Sequence, residues 1–125
     1  VRWSESWKHG GPERNFAIIE IQSLDMVGNC EVELRPDGYV NVMYVVFKGW
    51  RRKGIATRAV ALLASYATAV FPGHQLLFRI HPDNRGSIAV AESAGAVPAG
   101  SEKSATGREL GMWMAEPESA VETLL

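Results

Sequence analysis

The alternation of apolar and polar residues predicts three strands in the first half of the chain. Residues 16–21 are rich in isoleucine and aromatic side chains, and residues 30–34 alternate apolar and acidic positions before a turn at residues 35–38. Residues 39–47 are almost continuously apolar, which is typical of a strand that is covered on both faces. We therefore expect successive antiparallel strands, with the third at the centre of the sheet.

After residue 50 the apolar pattern changes to a helical period. From Ile55 onward, apolar residues recur at three- and four-residue spacing until Pro72 and Gly73 end the run. Residues 76–80 then predict another strand. The segment is thus a strand, a loop, a helix and a second strand.

The remaining pattern repeats this unit and completes the fold class. Residues 87–94 predict a helix, residues 97–107 predict a loop because they are rich in glycine, serine and alanine, and residues 110–115 predict a last strand. The order β-β-β-α-β-α-β indicates an α/β fold with a mixed, mostly antiparallel central sheet flanked by helices. We expect one domain over residues 1–125, with residues 1–15 as a poorly defined N-terminal segment.

Composition and charge narrow the class of protein. A chain of 125 residues with 46% apolar and 22% charged residues fits a single globular domain. A net charge of −1 offers no overall field that would attract nucleic acid or an anionic membrane, so we expect neither partner. The single cysteine, Cys30, excludes an internal disulfide, and no signal peptide or membrane-spanning apolar run is visible. We therefore expect a cytoplasmic protein.

A basic turn at residues 50–57 is the most informative segment. The first turn of a helix carries unpaired N–H groups and the positive end of the helix dipole, which together favour a bound pyrophosphate. Arg51, Arg52 and Lys53 add positive charge, and Gly54 keeps the backbone accessible. The turn matches neither a P-loop nor a dinucleotide-binding fingerprint. The alternative is that the basic run is only a solvated loop.

Two motifs in this region resemble those of one superfamily. Arg-x-x-Gly-x-Ala at residues 51–56 resembles the acetyl-CoA signature of the GNAT superfamily of N-acetyltransferases, and residues 84–96 resemble its Asn-x-x-Ser helix that ends in Glu-x-x-Gly-Phe. The residues in these two motifs are most similar to those of the subgroup of ribosomal-protein N-terminal acetyltransferases. The resemblance covers residues 16–115. The resemblance implies the GNAT fold. Residues 1–15 are too few for the N-terminal strand and helices that usually precede this region in the family, so we expect those elements to be missing here.

The resemblance also implies acetyl-CoA as the cosubstrate and a set of residues that hold it. The pantetheine arm would lie in a gap after the third strand, and the pyrophosphate would lie on the basic turn. The predicted cofactor-binding residues are Val45, Val46, Phe47, Arg51, Arg52, Lys53, Gly54, Ile55, Ala56, Thr57, Asn84 and Ser87. Asn84 could equally cap the second helix, and the two roles are compatible.

Direct attack of an amine on a thioester needs a base but no enzyme nucleophile. We therefore expect Cys30 to be a packed core residue. The position at which several members of the subgroup carry a glutamate holds Asn41 here. Our candidate for the catalytic base is Glu33, with Glu31, Glu20 and a water chain as alternatives.

The position of the acid that protonates the leaving thiolate also differs from the family pattern. The tyrosine that many GNAT enzymes carry in the second helix is replaced by Ala91, so our catalytic candidate is Ser87, with Tyr44 as an alternative. No spacing of histidines or cysteines predicts a metal site. His81 follows a predicted strand near the expected cleft, and a structural role is the simpler reading of it.

Three functions remain at this stage. The first is an N-acetyltransferase acting on a primary amine, which is a protein N-terminus, a lysine or a small molecule. The second is a catalytically weak acyl-CoA-binding regulatory module, and the third is a nucleic-acid-binding module, which the net charge disfavours. In the family, the N-terminal strand and helices that we expect to be missing here normally form one wall of the acceptor site. A homodimer or additional domains of a longer chain are open alternatives for completing it.

Overall fold

The computed structural model describes residues 13–124, and side chains up to residue 121. Within that range the chain forms six strands and three helices. In order they are β1 (Glu13–Ile19), β2 (Met26–Leu34), β3 (Val40–Val46), α1 (Ile55–Val70), β4 (Leu76–Ile80), α2 (Arg85–Ser93), β5 (Val97–Lys103), β6 (Glu109–Ala115) and α3 (Pro117–Leu124). None of these helices is long and apolar enough to cross a bilayer.

The strands form one sheet in the order β1-β2-β3-β4-β6-β5. Neighbouring strands are antiparallel except β3 and β4, which are parallel and joined by the connection through α1. The parallel pairing is short, because it extends only from Val40 opposite Leu76 to Val42 opposite Phe78. Beyond that point the ends of β3 and β4 have no registered partner residues between them, which opens a gap in the middle of the sheet.

The hydrophobic core lies on one face of the sheet. Buried side chains of β2, β3 and β4, among them Val32, Val42 and Phe78, pack against Val60 and Leu63 of α1 in one cluster. The same cluster takes in residues of α2 and α3, so all three described helices cover this face, which we call the helix face. We call the opposite side of the sheet the open face, because no described helix packs on it.

The prediction that both faces of the third strand are covered was wrong. Met43 and Val45 are each 42% exposed, and both point to the open face, because side chains alternate along a strand. The prediction that this strand is central was confirmed. Continuous apolar character therefore did not distinguish a strand buried on both sides from one with an exposed apolar face.

The prediction of a loop at residues 97–107 was also wrong. Val97–Lys103 form β5, an edge strand paired with β6, and the connection is a tight turn in which Ser104 N–H donates to the Arg108 carbonyl at 2.7 Å. Most side chains of β5 are exposed, so the strand needs no apolar alternation. A register shift between Pro98 and Ser101 contains Gly100, whose φ of 101° suits glycine.

Two further differences concern the ends of the chain. β1 begins at Glu13, inside the segment that the sequence left undefined, while residues 1–12 of that segment lie outside the described residues. The sequence pattern did not predict α3, which is short and buries Ala120 against the core. A few apolar residues in a short polar segment leave too weak an apolar period to be recognised.

Candidate functional site

A cavity of about 580 Å³ lies where the gap between β3 and β4 meets the first turns of α1 and α2. Its wall combines the end of β3, the basic turn and the starts of both helices. The lining residues are Tyr44, Val45, Val46, Trp50, Arg51, Arg52, Gly54, Ile55, Ala56, Thr57, Asn84, Gly86, Ser87 and Val90. Among these described residues there are two arginines and no carboxylate, so the cavity is suited to an anion.

The N-terminus of α1 supplies hydrogen-bond donors to this cavity. Gly54 precedes the helix with φ 74°, a left-handed conformation that favours glycine, and no side chain caps the helix. The first turn contains no acidic residue, and the first carbonyl, of Gly54, is bonded to Arg58 N–H at 3.1 Å. The N–H groups of residues 55–57 therefore begin the helix without intrahelical partners. Such a helix start binds phosphate groups through its N–H groups and dipole.

Arg52 shapes the turn before the helix. Its φ of 63° is unusual for a residue other than glycine and costs roughly 1–2 kcal/mol. Left-handed residues in a turn are typical of the N–H-lined concavities that hold anions. Arg51 acts differently, because its Nε donates to the Val46 carbonyl at 3.0 Å and so ties the turn to the end of β3.

The end of β3 is held close to β2 by a glycine. Gly28 lies opposite Val46, and a Cβ atom at residue 28 would overlap the Val45 carbonyl oxygen. Any side chain at residue 28 would therefore displace the strand segment that lines the cavity.

On the other side of the gap, α2 presents Asn84 and Ser87. The Asn84 side-chain oxygen accepts from Ser87 N–H at 3.1 Å, which confirms the helix-capping role predicted for Asn84. The Tyr44 hydroxyl donates to the Ser87 carbonyl at 2.8 Å and so bridges β3 and α2. Burial raises the pKa of Tyr44 to about 12, so this phenol is protonated at neutral pH.

Ten of the twelve predicted cofactor-binding residues line the cavity. The two others lie elsewhere. Phe47 donates its N–H to the Val27 carbonyl at 2.8 Å, and the Lys53 ammonium lies 5.8 Å from the centre of the Trp50 ring, beside a second, more apolar cavity. Four other lining residues were not among those predicted to bind the cofactor: Tyr44, Trp50, Gly86 and Val90. Val90 follows Ser87 by three residues and so shares its helix face, which is a signal that could have revealed it.

Two of the three candidate bases, Glu31 and Glu33, lie on the open face. Cys30 and Val32 of β2 are buried under the helices, so Glu31 and Glu33 between and beyond them point the other way. Glu31 lies opposite Met43 in the β2–β3 register. Glu20 is separate from this group, because its carboxylate accepts from Ser23 N–H at 2.6 Å in the turn after β1.

The environment of Glu31 changes its acidity. Asn15 Nδ2 donates to Glu31 Oε1 at 2.5 Å, and this hydrogen bond alone would lower the pKa. Burial, followed by the hydrogen bond and the charge of Glu13 and by the charge of Glu33, outweighs that effect and raises the pKa of Glu31 to about 7. A carboxyl group with this pKa exchanges protons in the neutral range.

The other chemically interesting residues are structural. Ala91 and Cys30 belong to the core cluster, and burial raises the pKa of the Cys30 thiol to about 11, which agrees with the prediction that it is a packed residue. His81 Nδ1 accepts from Asp83 N–H at 3.2 Å, and its Nε2 lies 3.2 Å from an Arg108 nitrogen. Within the described residues, no three histidine, cysteine or acidic side chains are grouped closely enough to hold a metal ion.

Comparison with proteins of known structure shows where this fold occurs. A ribosomal-protein alanine acetyltransferase from Vibrio fischeri matches with a TM-score of 0.77 at 20% identity, over 91% of this chain and 66% of that one. A variant of the spermidine N-acetyltransferase of Vibrio cholerae also gives 0.77, at 14% identity, over 94% of this chain and 72% of that one. A GNAT-family acetyltransferase from Bacillus anthracis gives 0.72 at 20% identity, over 83% and 66% of the two chains.

The sequence comparisons are more selective. A search of curated proteins finds no significant match. The family model for the acetyltransferase (GNAT) domain matches residues 1–97. Because that match covers more than half of the chain, and the fold and the two motifs agree with it, the chain belongs to the GNAT family of acetyltransferases.

Proposed function

We propose that this chain is an acetyl-CoA-dependent N-acetyltransferase that transfers the acetyl group to a primary amine by direct attack. One observation carries the proposal: the uncapped N-terminus of α1 and two arginines line the same cavity as the gap between β3 and β4. This arrangement suits a ligand with a pyrophosphate at one end and a narrow, amide-bearing arm that reaches into a sheet. Acetyl-CoA has that form, and its thioester supplies the activated acetyl group.

The roles of the cavity residues follow from their positions. The N–H groups of residues 55–57, with Arg51 and Arg52, would bind the pyrophosphate, while Val45 and Val46 would pair with the arm. Ser87 stays our predicted acid for the leaving thiolate. The Tyr44 hydroxyl is its alternative, because it lines the cavity and its raised pKa keeps it protonated.

The acceptor would approach from the open face. The helix face at the gap is occupied by Tyr44 and Ser87, whereas Val45 lines the cavity and is also exposed on the open face. Glu31, opposite Met43, places a carboxylate on that face beside β3, which suits a cationic amine. Relatives with this fold include acetyltransferases for a ribosomal protein and for spermidine, so both peptide N-termini and polyamines are proposed acceptors.

The decisive experiment measures release of free CoA thiol from acetyl-CoA with a panel of amines. The panel should contain peptides with different N-terminal residues, a lysine peptide with a blocked N-terminus, and spermidine. We expect amine-dependent thiol release and an acetylated product by mass spectrometry for at least one class. Acetyl-CoA binding without turnover on any amine would instead support a catalytically weak acyl-CoA-binding module. Asn41 and Ala91 favour this second candidate, because they replace proton-handling residues of the family.

A further inference from the structure

We infer that Glu31, rather than Glu33, is the catalytic base that takes the proton from the acceptor ammonium. The inference rests on the proposed transferase function. It starts from the register of β2 and β3, which fixes how far each carboxylate lies from the end of the gap.

We take Val45 as the point where the cavity meets the open face, since it lines the cavity and its side chain, 42% exposed, lies on that face. Asn29 is its direct partner on β2, and Glu31 is the next residue of β2 on the same face, opposite Met43. Diagonal neighbours of this kind have Cα atoms about 7–8 Å apart, within reach of a long side chain. Glu31 is therefore the acidic residue of β2 nearest to the cavity opening.

Glu33 lies one step farther away. It is opposite Asn41, and two residues along a strand add about 6.5–7 Å to the distance from Val45. At its own position Glu33 would act on an amine only through an extended chain of waters, whereas Glu31, whose carboxylate is hydrogen-bonded to Asn15 on β1, would act through fewer waters.

The surroundings of Glu31 give it the acidity that a base needs near neutral pH. Asn15 fixes one carboxylate oxygen with a hydrogen bond of 2.5 Å. Among the described residues, the ionisable groups that interact with it are Glu13 on β1 and Glu33 on β2, while its β3 partner Met43 is uncharged. Burial and the two neighbouring carboxylates raise its pKa to about 7, close to the value at which a general base is most effective.

The side-chain oxygen of Asn41 adds a second acceptor to this face. It is buried and has no hydrogen-bond partner within the described part of the chain. Asn41 lies beside Met43 on the same face of β3 and directly opposite Glu33, so this buried oxygen lies below the surface next to the carboxylates of β2.

The proposed step conserves atoms and electrons. The Glu31 carboxylate accepts one proton from the ammonium, and the freed lone pair on nitrogen forms a C–N bond to the acetyl carbon. The C–S bond breaks and its electron pair stays on sulfur. The second proton of the nitrogen ends on the thiolate to give free CoA thiol, and the proton on Glu31 returns to water.

The test is a comparison of isosteric variants over pH. The turnover number is measured between about pH 5.5 and 9 with two amines of different pKa. A rising limb of the pH–rate profile that reports an enzyme group stays at the same pH when the amine is changed. Glu31→Gln should lower kcat by about 100-fold or more and remove the rising limb near pH 7, with an unchanged acetyl-CoA Kd by calorimetry. Glu33→Gln should keep the limb and move it slightly to lower pH. Glu109→Gln, an exposed carboxylate of β6, is the matched control and should stay within about threefold.

A second pair of measurements covers the case in which Glu31→Gln does not fold, as judged by circular dichroism. Glu13→Gln should shift the limb to lower pH, because it removes a charge that raises the pKa of Glu31. Carbon NMR of labelled glutamate in the unaltered chain should show one carboxyl titrating near pH 7, and this titration should move to lower pH in Glu13→Gln, whether or not an amine has been found.

Failure of the Glu31 assignment can be distinguished from failure of the proposed transferase function. A limb that survives in Glu31→Gln, or that disappears in Glu33→Gln, overturns the assignment while leaving the transferase proposal intact. A Glu31 carboxyl that titrates at an ordinary glutamate value also overturns it. Acetyl-CoA binding without turnover in the unaltered chain, at every pH and with every amine, overturns the proposed transferase and the base together.

Discussion

The two sides of the gap between β3 and β4 are built in different ways. On the helix face, the start of α1, the start of α2 and the Tyr44 side chain enclose a cavity with donors and positive charge already in position. On the open face, Met43 and Val45 are exposed, with Glu31 of β2 opposite Met43 and Arg79 of β4 on the other side of the gap. The first side depends mainly on backbone geometry, and the second depends on a few side chains. Substitutions on the two sides should therefore change different properties of the protein.

The largest expected effect is the loss of cofactor binding in Gly54→Val. The residue has φ 74° and precedes the free N–H groups of α1, so a β-branched side chain would force the turn out of its conformation. We expect acetyl-CoA affinity to fall by about 100-fold or more in calorimetry, because several phosphate hydrogen bonds are lost together.

The matched control for that substitution is Gly73→Val at the other end of α1. Gly73 has φ 81° and open space around it, so it carries the same backbone strain away from the cavity. Both variants should be less stable, but only Gly54→Val should lose binding. Equal affinities would contradict the placement of the pyrophosphate at the start of α1.

A smaller loss is expected when the end of β3 is displaced. Gly28→Val puts a side chain where the Val45 carbonyl lies, and the strand must move. We expect acetyl-CoA affinity to fall by about tenfold together with a lower Tm, because overpacking of this kind typically costs about 1–3 kcal/mol. Gly107→Val, at φ 82° in the β5–β6 turn, is the control for a general loss of stability. Normal binding by Gly28→Val would show that the Val45–Val46 segment does not hold the ligand.

The third comparison separates two adjacent positive charges. Arg52 lines the cavity, whereas Lys53 lies against Trp50 and beside the second cavity. Arg52→Ala should weaken acetyl-CoA binding by about three- to tenfold and reduce its dependence on salt, while Lys53→Ala should change it by less than about twofold. Arg52→Gly should show the same weaker binding with higher stability, since glycine removes the strain at φ 63°. If Lys53→Ala weakens acetyl-CoA binding more than Arg52→Ala does, the placement of Arg52 in the cavity and of Lys53 outside it is wrong.

The smallest effect concerns stability rather than binding, and it belongs to the open face. The pKa of Glu31 is raised from 4.5 to about 7 in the folded chain, so folding favours its protonated form. The stabilisation from this group is complete below about pH 4.5 and is lost as pH rises through 7. The Tm of the unaltered chain should therefore fall more between pH 5 and pH 8 than that of Glu31→Gln, by a few degrees at most, because the group is partly solvated. Identical pH profiles for the two proteins would contradict the raised pKa.

The helix face could be predicted in most of its detail because local rules determine it. The basic turn, the position of Gly54 and the cap at Asn84 each follow from residues that are neighbours in sequence, and the structure brings ten of the predicted contacts into one cavity. Lys53 and Phe47 show the limit of that reasoning. A run of charges does not reveal which side of a turn each side chain takes.

The open face could not be predicted to the same degree, because it depends on register between strands that are distant in sequence. Nothing near Glu31 in the chain reveals Asn15 as its hydrogen-bond partner or Met43 as its neighbour on β3. Glu31 and Glu33 alternate identically in the sequence, and only the pairing with β3 shows which is nearer to Val45. The β5 strand was missed for a related reason, since an exposed edge strand gains its stability from pairing and not from an apolar pattern.

The short parallel pairing of β3 and β4 has a consequence for exchange of backbone amide hydrogens. Because registered pairing between these strands stops at Val42 and Phe78, the amides of residues 43–46 that point toward β4 have no strand partner there among the described residues. In the free chain these amides should exchange quickly with solvent, although they belong to a central strand. A bound arm whose amide groups pair with them would act as an inserted strand segment and slow that exchange. Protection confined to the end of β3 would then report occupancy of the gap without any catalysis.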